Sequence, residues 1–164
     1  MFNRILVPTD FSDASEVALK YGRALANQFY GTLHLIHVAE NPFLRATVAD
    51  RRAIEEAPAR WLEDRLTDDD RQRGAIATVT QSDEPAKEIL QYAKSADIDL
   101  IIMGTHGRTG LARVVLGSVA EAVVRGAPCP VLTVHADGSA AVVTAKKAKT
   151  GAAAEGEGER LAST

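Results

Sequence analysis

A single cysteine, Cys129, occurs among the 164 residues, so no internal disulfide framework braces the chain. Its setting, Pro128-Cys129-Pro130-Val131, precedes an apolar run and reads as a small buried apolar residue. The other reading is a reactive thiol, for which no general base lies nearby in sequence. Long apolar runs are also missing. None approaches the ~20 residues that span a bilayer, and Arg4 and Asp10 bracket the short apolar run near the start, so a soluble, cytoplasmic protein with no membrane partner is expected. Basic excess is lacking too: 19 Lys and Arg against 22 Asp and Glu leave a formal net charge of -3. With no cluster of lysine and arginine in the body of the chain, there is no electrostatic footprint for a nucleic acid. The 46% hydrophobic and 25% charged content suits one globular domain of ordinary size.

Taken in order, the chain alternates strand and helix signals. Arg4-Ile-Leu-Val7 lacks polar alternation, as a central strand covered on both faces would. Asp13-x-x-Glu16 offers a capping box, Val17, Tyr21, Ala24 and Leu25 follow at helical spacing, and Gly31 supplies a stop. Thr32 to Val38 reads as a second strand, so the first three elements form a right-handed βαβ unit. A helix from about Pro58 through Leu66 is expected, with Pro58 in its first turn and Trp61, Leu62 and Leu66 facing the sheet. Asp68-Asp69-Asp70 reads as a solvated connector, with a metal site as the alternative. Ala75 to Thr80 reads as an exposed-edge strand, Pro85 opens a helix with Ile89, Leu90 and Ala93 inward, and Ile98 to Met103 is a fourth strand. A helix over Ser118 to Arg125 and a strand over Val131 to Val134 complete five strands and four helices. After Ala136 the composition shifts to Ala, Gly, Lys, Glu, Ser and Thr. Residues 136–164 are therefore expected to form a disordered tail dispensable for folding, appended to a domain over 1–135.

The stretch that bears on function is Gly104-Thr-His-Gly107-Arg-Thr-Gly110 through Gly117-Ser118, set between a buried strand and a helix that opens with a Ser118-x-x-Glu121 capping box. Backbone N–H groups and the helix dipole favour an anion at such a crossing. Glycine there permits positive φ and close approach of a phosphate to the main chain; a surface loop that uses glycine for its turns is the plainer alternative. In a parallel doubly wound sheet, ligands lie beyond the carboxyl ends of the strands. That rule gathers Pro8, Thr9 and Asp10 after the first strand, Val38 after the second and Gly104 to Gly107 after the fourth, provided the first and fourth are neighbours. Asp97 and Asp99 precede the fourth strand and are structural boundaries at the opposite end. His34 and His37, three apart on a strand, point to opposite faces and make a poor zinc pair. His106 is placed either for a phosphate or solvent contact or simply as an exposed loop histidine.

The loop lacks the Gly-Lys-Ser/Thr of a P-loop and the Gly-x-Gly-x-x-Gly of dinucleotide binders. It resembles the ATP-binding subgroup of the universal stress protein family, whose pattern Gly104-x2-Gly107-x9-Gly117-Ser118 matches. Asp99-Leu-Ile-Ile-Met-Gly-Thr-His-Gly-Arg, Gly117-Ser-Val-Ala, Pro128-Cys-Pro-Val-Leu and the opening Ile5-Leu-Val-Pro-Thr-Asp10 are similar as well. The resemblance implies an α/β, Rossmann-like fold with a five-stranded parallel sheet in order 3-2-1-4-5, helices on both faces, and ATP with magnesium or manganese as ligand. It places Pro8, Thr9, Asp10 and Val38 around adenine and ribose, with Asp10 on a ribose hydroxyl or the metal. Met103 and Gly104 would border the nucleoside, and Gly107, Arg108, Gly117, Ser118 and Val119 would bind phosphates. For Ser118 a role as helix cap only is the competing assignment. Val131 to Val134 is expected at an apolar sheet edge, and a homodimer pairing such edges follows from that and from the resemblance. The function implied is a nucleotide-dependent stress-response or signalling switch. The alternatives are a nucleotide-independent interaction module and a slow ATPase, for which Asp10 alone makes no enzyme's case.

Overall fold

The structure is a computed structural model that describes residues 2–39, 48–105 and 116–143. Its elements are β1 (Arg4–Pro8), α1 (Asp13–Phe29), β2 (Thr32–Ala39), α2 (Val48–Arg65), α3 (Asp68–Gln72), β3 (Ile76–Gln81), α4 (Pro85–Ser95), β4 (Leu100–Gly104), α5 (Ser118–Gly126), β5 (Val131–Val134) and β6 (Ala140–Val143). The sheet runs β3-β2-β1-β4-β5-β6, with β1 to β5 mutually parallel and β6 antiparallel to β5. Strands without polar alternation sit at the centre: Ile5, Leu6, Val7, Ile101 and Ile102 are fully buried. Ile5 and Val7 join the core beneath α1 and α2, whereas Leu6, Ile101 and Met103 join the core beneath α4 and α5. Each buried aliphatic side chain contributes about 1.5–3 kcal/mol relative to exposure, so the apolar runs set both the strand positions and the two-sided covering.

The sixth strand changes two expectations. Residues 136–143 do not belong to a structureless tail, and β5 is not the sheet edge. After β5 the chain turns back: Gly138 has φ +86°, the Ser139 amide and hydroxyl both donate to Asp137 Oδ1 at 2.8 and 2.6 Å, and the His135 amide donates to the Ser139 carbonyl. Asp-Gly ahead of Ala-Ala-Val-Val is a hairpin signal, masked in the sequence by the low-complexity composition around it. The hairpin is tied to α1 by the Tyr21 hydroxyl, which donates to the Gly138 carbonyl at 2.7 Å.

Other boundaries shift for local reasons. Ser12, not Asp13, caps α1, accepting from the Ser15 amide, and Asp13 and Glu16 occupy the first turn, where their charge suits the dipole. Tyr30, in the left-handed region at φ 54°, ends the helix. Gly31 is required for another reason, since a Cβ there would lie 2.7 Å from the Phe2 carbonyl oxygen. Pro58 lies inside α2 rather than in its first turn. Leu62 and Leu66 are buried as expected, but Trp61 is 48% exposed and packs edge-on against Phe11. The aspartate triplet forms α3 instead of a solvated connector. Thr67 and Asp70 make a reciprocal capping box, and the buried Asp70 accepts from Arg23 Nε at 2.8 Å. At α5 the cap is Gly117 and no side chain caps the helix, so the Ser118 to Glu121 box does not form and Glu121 pairs with Arg125.

Candidate functional site

Because β1 lies between β2 and β4, the strand order reverses direction beside β1, and the candidate crevice is the one that such a reversal leaves at the carboxyl ends of the strands. Alternation sorts what borders it. Pro8 shares a face with Leu6, Val38 packs against the α4/α5 core, and Met103 belongs to that core. Three of the expected residues thus share the α4/α5 side. Thr9 is drawn into the framework instead. It is buried, its hydroxyl accepts from the Phe11 amide and shares a hydrogen bond with Ser15 Oγ, each at 3.0 Å, and its carbonyl lies 2.8 Å from His37 Nδ1.

Asp10 is half-buried. The Ser12 amide and hydroxyl donate to its Oδ1 at 3.1 and 2.5 Å, which orients the carboxylate while Oδ2 takes no bond among the described residues. Phe11, next in the chain, holds φ 63°, a strained setting for a non-glycine residue. Its ring lies against His37, Trp61 and the Arg65 guanidinium, pinning α2 to the loop that carries Asp10.

The glycines divide. A Cβ on Gly104 would lie 2.8 Å from Ala14 Cβ and 2.9 Å from the Ala14 carbonyl carbon; the missing side chain admits the start of α1, not a ligand. Gly117 has φ -59°, so it does not use the positive φ that glycine was expected to supply. Its amide donates to the Thr105 carbonyl at 2.7 Å. Thr105 is buried, and its hydroxyl shares a 2.8 Å hydrogen bond with His135 Nδ1. Thr105, His135 and the Ser12 and Ser15 hydroxyls escaped the sequence reading; the usable signal was their position just beyond strand ends. His106, Gly107, Arg108 and Gly110 lie outside the described residues. Ser118 is exposed and Val119 half-buried in the first turn of α5, where the leading N–H groups lack intrahelical partners. Both residues border an open groove of about 660 Å³ between α4 and α5, rimmed by Lys87 and Lys94.

Among the described residues no group of three or more His, Cys, Asp and Glu is arranged to hold a metal. The single oriented carboxylate of Asp10 suits an ion held chiefly by phosphate oxygens. His34 and His37 do face opposite sides: His34 Nδ1 lies 2.9 Å from the Tyr92 hydroxyl, whereas His37 meets Phe11. Burial, with help from the positive Arg4, holds His34 below its ordinary pKa. Burial followed by the charge of Asp99 pushes Cys129 up to about 11, which keeps the thiol protonated and unreactive.

The opposite end of the sheet holds Asp97 and Asp99. Asp99 Oδ2 accepts from the Asn3 and Arg4 amides at 2.9 and 3.0 Å, and Asp97 pairs with Arg4. Both are structural boundaries. No helix among the described residues is long and apolar enough to cross a membrane.

The chain is 34% identical over 140 residues to universal stress protein MJ0531 of Methanocaldococcus jannaschii, the match covering 82% of each. Its fold superposes on that of universal stress protein UspA from Lactobacillus plantarum with a TM-score of 0.64 at 27% identity, over 80% of this chain and 97% of the other. A more distant likeness in fold, with a TM-score of 0.56 at 20% identity over 81% and 91% of the two chains, is to a universal stress protein family protein from Arabidopsis thaliana with AMP bound. The model of the universal stress protein family matches residues 1–135, and with these relatives and this sheet the chain belongs to that family.

Proposed function

We propose that the protein binds an adenine nucleotide, ATP with magnesium or manganese, at the carboxyl ends of β1, β2 and β4, and works as a nucleotide-responsive stress or signalling switch. The observation that carries this reading is the strand order, which brings Pro8, Val38 and Met103 to one face at the carboxyl ends of β1, β2 and β4, the end at which Asp10 holds an oriented carboxylate and α5 starts without a side-chain cap. There the base rests on Pro8 and Val38, Asp10 takes a ribose hydroxyl or the ion, and phosphates approach the Ser118 hydroxyl and the amides of Ser118 and Val119. Gly107 and Arg108 complete the phosphate contacts in the reading. The AMP in the Arabidopsis thaliana protein supports the adenine class. A switch is favoured over an enzyme because Asp10 alone makes no acid–base constellation, and the hydroxyl–imidazole pair at this end of the sheet, Thr105 with His135, has its hydroxyl residue buried.

Gly117→Val tests the reading. With φ -59° and ψ 154° the position accepts a branched residue, so the variant should fold, as circular dichroism would verify. Calorimetry should show ATP affinity falling at least tenfold, because the side chain crowds the amides beyond it. A folded wild type that binds no ATP with either metal present would instead promote the interaction-module reading. Homodimerisation through β5 requires β6 to leave that edge. Sedimentation should therefore find association favoured in a chain ending at His135 over the full chain.

A further inference from the structure

Thr80, on β3, has a hydroxyl that is buried and makes no hydrogen bond, the one such side-chain atom among the described residues. Native structures seldom leave a buried hydroxyl unpaired, and this group can donate and accept. Its place in the fold narrows the choice of partner. Thr80 pairs in register with Val38. Ala77 and Val79, of the opposite parity, pack under α1 and α2, so Thr80 projects to the other face, the side on which Ile36 and Val38 meet the α4/α5 core. That is the face of the candidate crevice, one strand spacing, about 4.8 Å, beyond Val38 and on the side away from α5.

We propose that Thr80 Oγ1 is the specificity contact for the base, accepting a hydrogen bond from the exocyclic amine of adenine while Val38 packs against the ring. The inference rests on the nucleotide reading above. The strand order supplies its direction: phosphates at α5 lie on the β4 side of β1, so the far edge of the base points across β2 toward β3. Thr80 is covered in the conformation described, and the contact forms as the base seats. An enclosed water is the competing partner, because it too would satisfy a lone hydroxyl.

The experiment compares wild type, Thr80→Val and Thr80→Ser by calorimetry with ATP and with purine riboside triphosphate, which lacks the amine. Valine matches threonine in shape and removes only the hydroxyl. The expected result is an ATP dissociation constant raised about tenfold in Thr80→Val, equivalent to about 1.4 kcal/mol, and near wild type in Thr80→Ser. Loss of the amine should weaken binding to the wild type and to Thr80→Ser but not to Thr80→Val. The ligand-free melting temperature of Thr80→Val should be unchanged or higher, since no bond is lost. A lower melting temperature with unchanged ATP affinity would assign the hydroxyl to a buried water and overturn the proposal. Equal sensitivity of wild type and Thr80→Val to loss of the amine would overturn it as well. A wild type that binds no adenine nucleotide would overturn the nucleotide reading and this contact together, whereas binding that Thr80→Val leaves unaltered would overturn the Thr80 assignment alone.

Discussion

The two ends of the sheet use aspartate in opposite ways. At the amino end, Asp99 accepts two backbone amides from the start of β1, Arg4 reaches the Ala96 carbonyl, and the Asp99 amide returns a bond to the Arg4 carbonyl. At the carboxyl end, Asp10 is held by Ser12 through one oxygen only among the described residues, and α5 starts with no side-chain cap. A closed network converts polar groups into stability, whereas an oriented but unfilled one keeps them for a ligand at some cost in stability. The lesson is that a carboxylate's role follows from how many of its lone pairs the fold has already used.

The largest test concerns a glycine that sits at the open end yet serves the framework. Gly104→Val places a side chain against Ala14 backbone, which cannot yield as a flexible side chain would, and should cost about 3 kcal/mol in urea unfolding. A stable variant that merely loses ATP would return Gly104 to the ligand. Next comes the hairpin, whose β6 runs from beside Val134 to beside Val131 and so bridges the two ends. Ending the chain at His135 should lower the melting temperature on the order of 5 °C, while ending it at Val143 should leave it within about 1 °C. Equal melting temperatures would mean that β6 adds nothing to the domain.

The two aspartates give the direct comparison. Asp99→Ala should destabilise by about 1.5–3 kcal/mol, the range for hydrogen bonds to a charged group, and leave ATP affinity within twofold. Asp10→Ala should do the reverse, with stability nearly kept and affinity down about tenfold. If both variants behave alike in denaturation and calorimetry, the contrast between the ends is lost.

The smallest effect is a pH dependence. Burial keeps His34 neutral in the fold, with Arg4 adding to the depression. Below the ordinary value of 6.5 the unfolded chain therefore binds the extra proton, and stability should decline as pH falls toward the lowered folded value. His34→Gln should flatten that window. A second decline belongs to Asp70. Its burial raises the pKa, but bonds from Thr67 and Arg23 outweigh this and leave it lowered from 3.8. Its stabilisation is present above that value and is lost below it as the carboxylate protonates. Denaturant melts across pH should resolve the two windows in wild type and only the acidic one in His34→Gln.

The alternation of strands and helices, the parallel pairing and the opposite facing of His34 and His37 were legible because hydrophobic period and residue parity are local properties that burial then enforces. The convergence of Pro8, Asp10 and Val38 was legible too, since in a parallel sheet everything after a strand arrives at one end. What tertiary structure alone decided depends on neighbours distant in sequence. Asp70 reads as one of three solvated acids until Arg23 of α1 is placed against it. Gly104 reads as a phosphate glycine until Ala14 is found where its Cβ would be. Val131 to Val134 reads as an exposed edge until a four-residue strand from a low-complexity segment pairs with it. The unpaired hydroxyl of Thr80 has no sequence signature, because whether a buried polar atom is satisfied is settled only by what three-dimensional packing brings within a hydrogen bond of it.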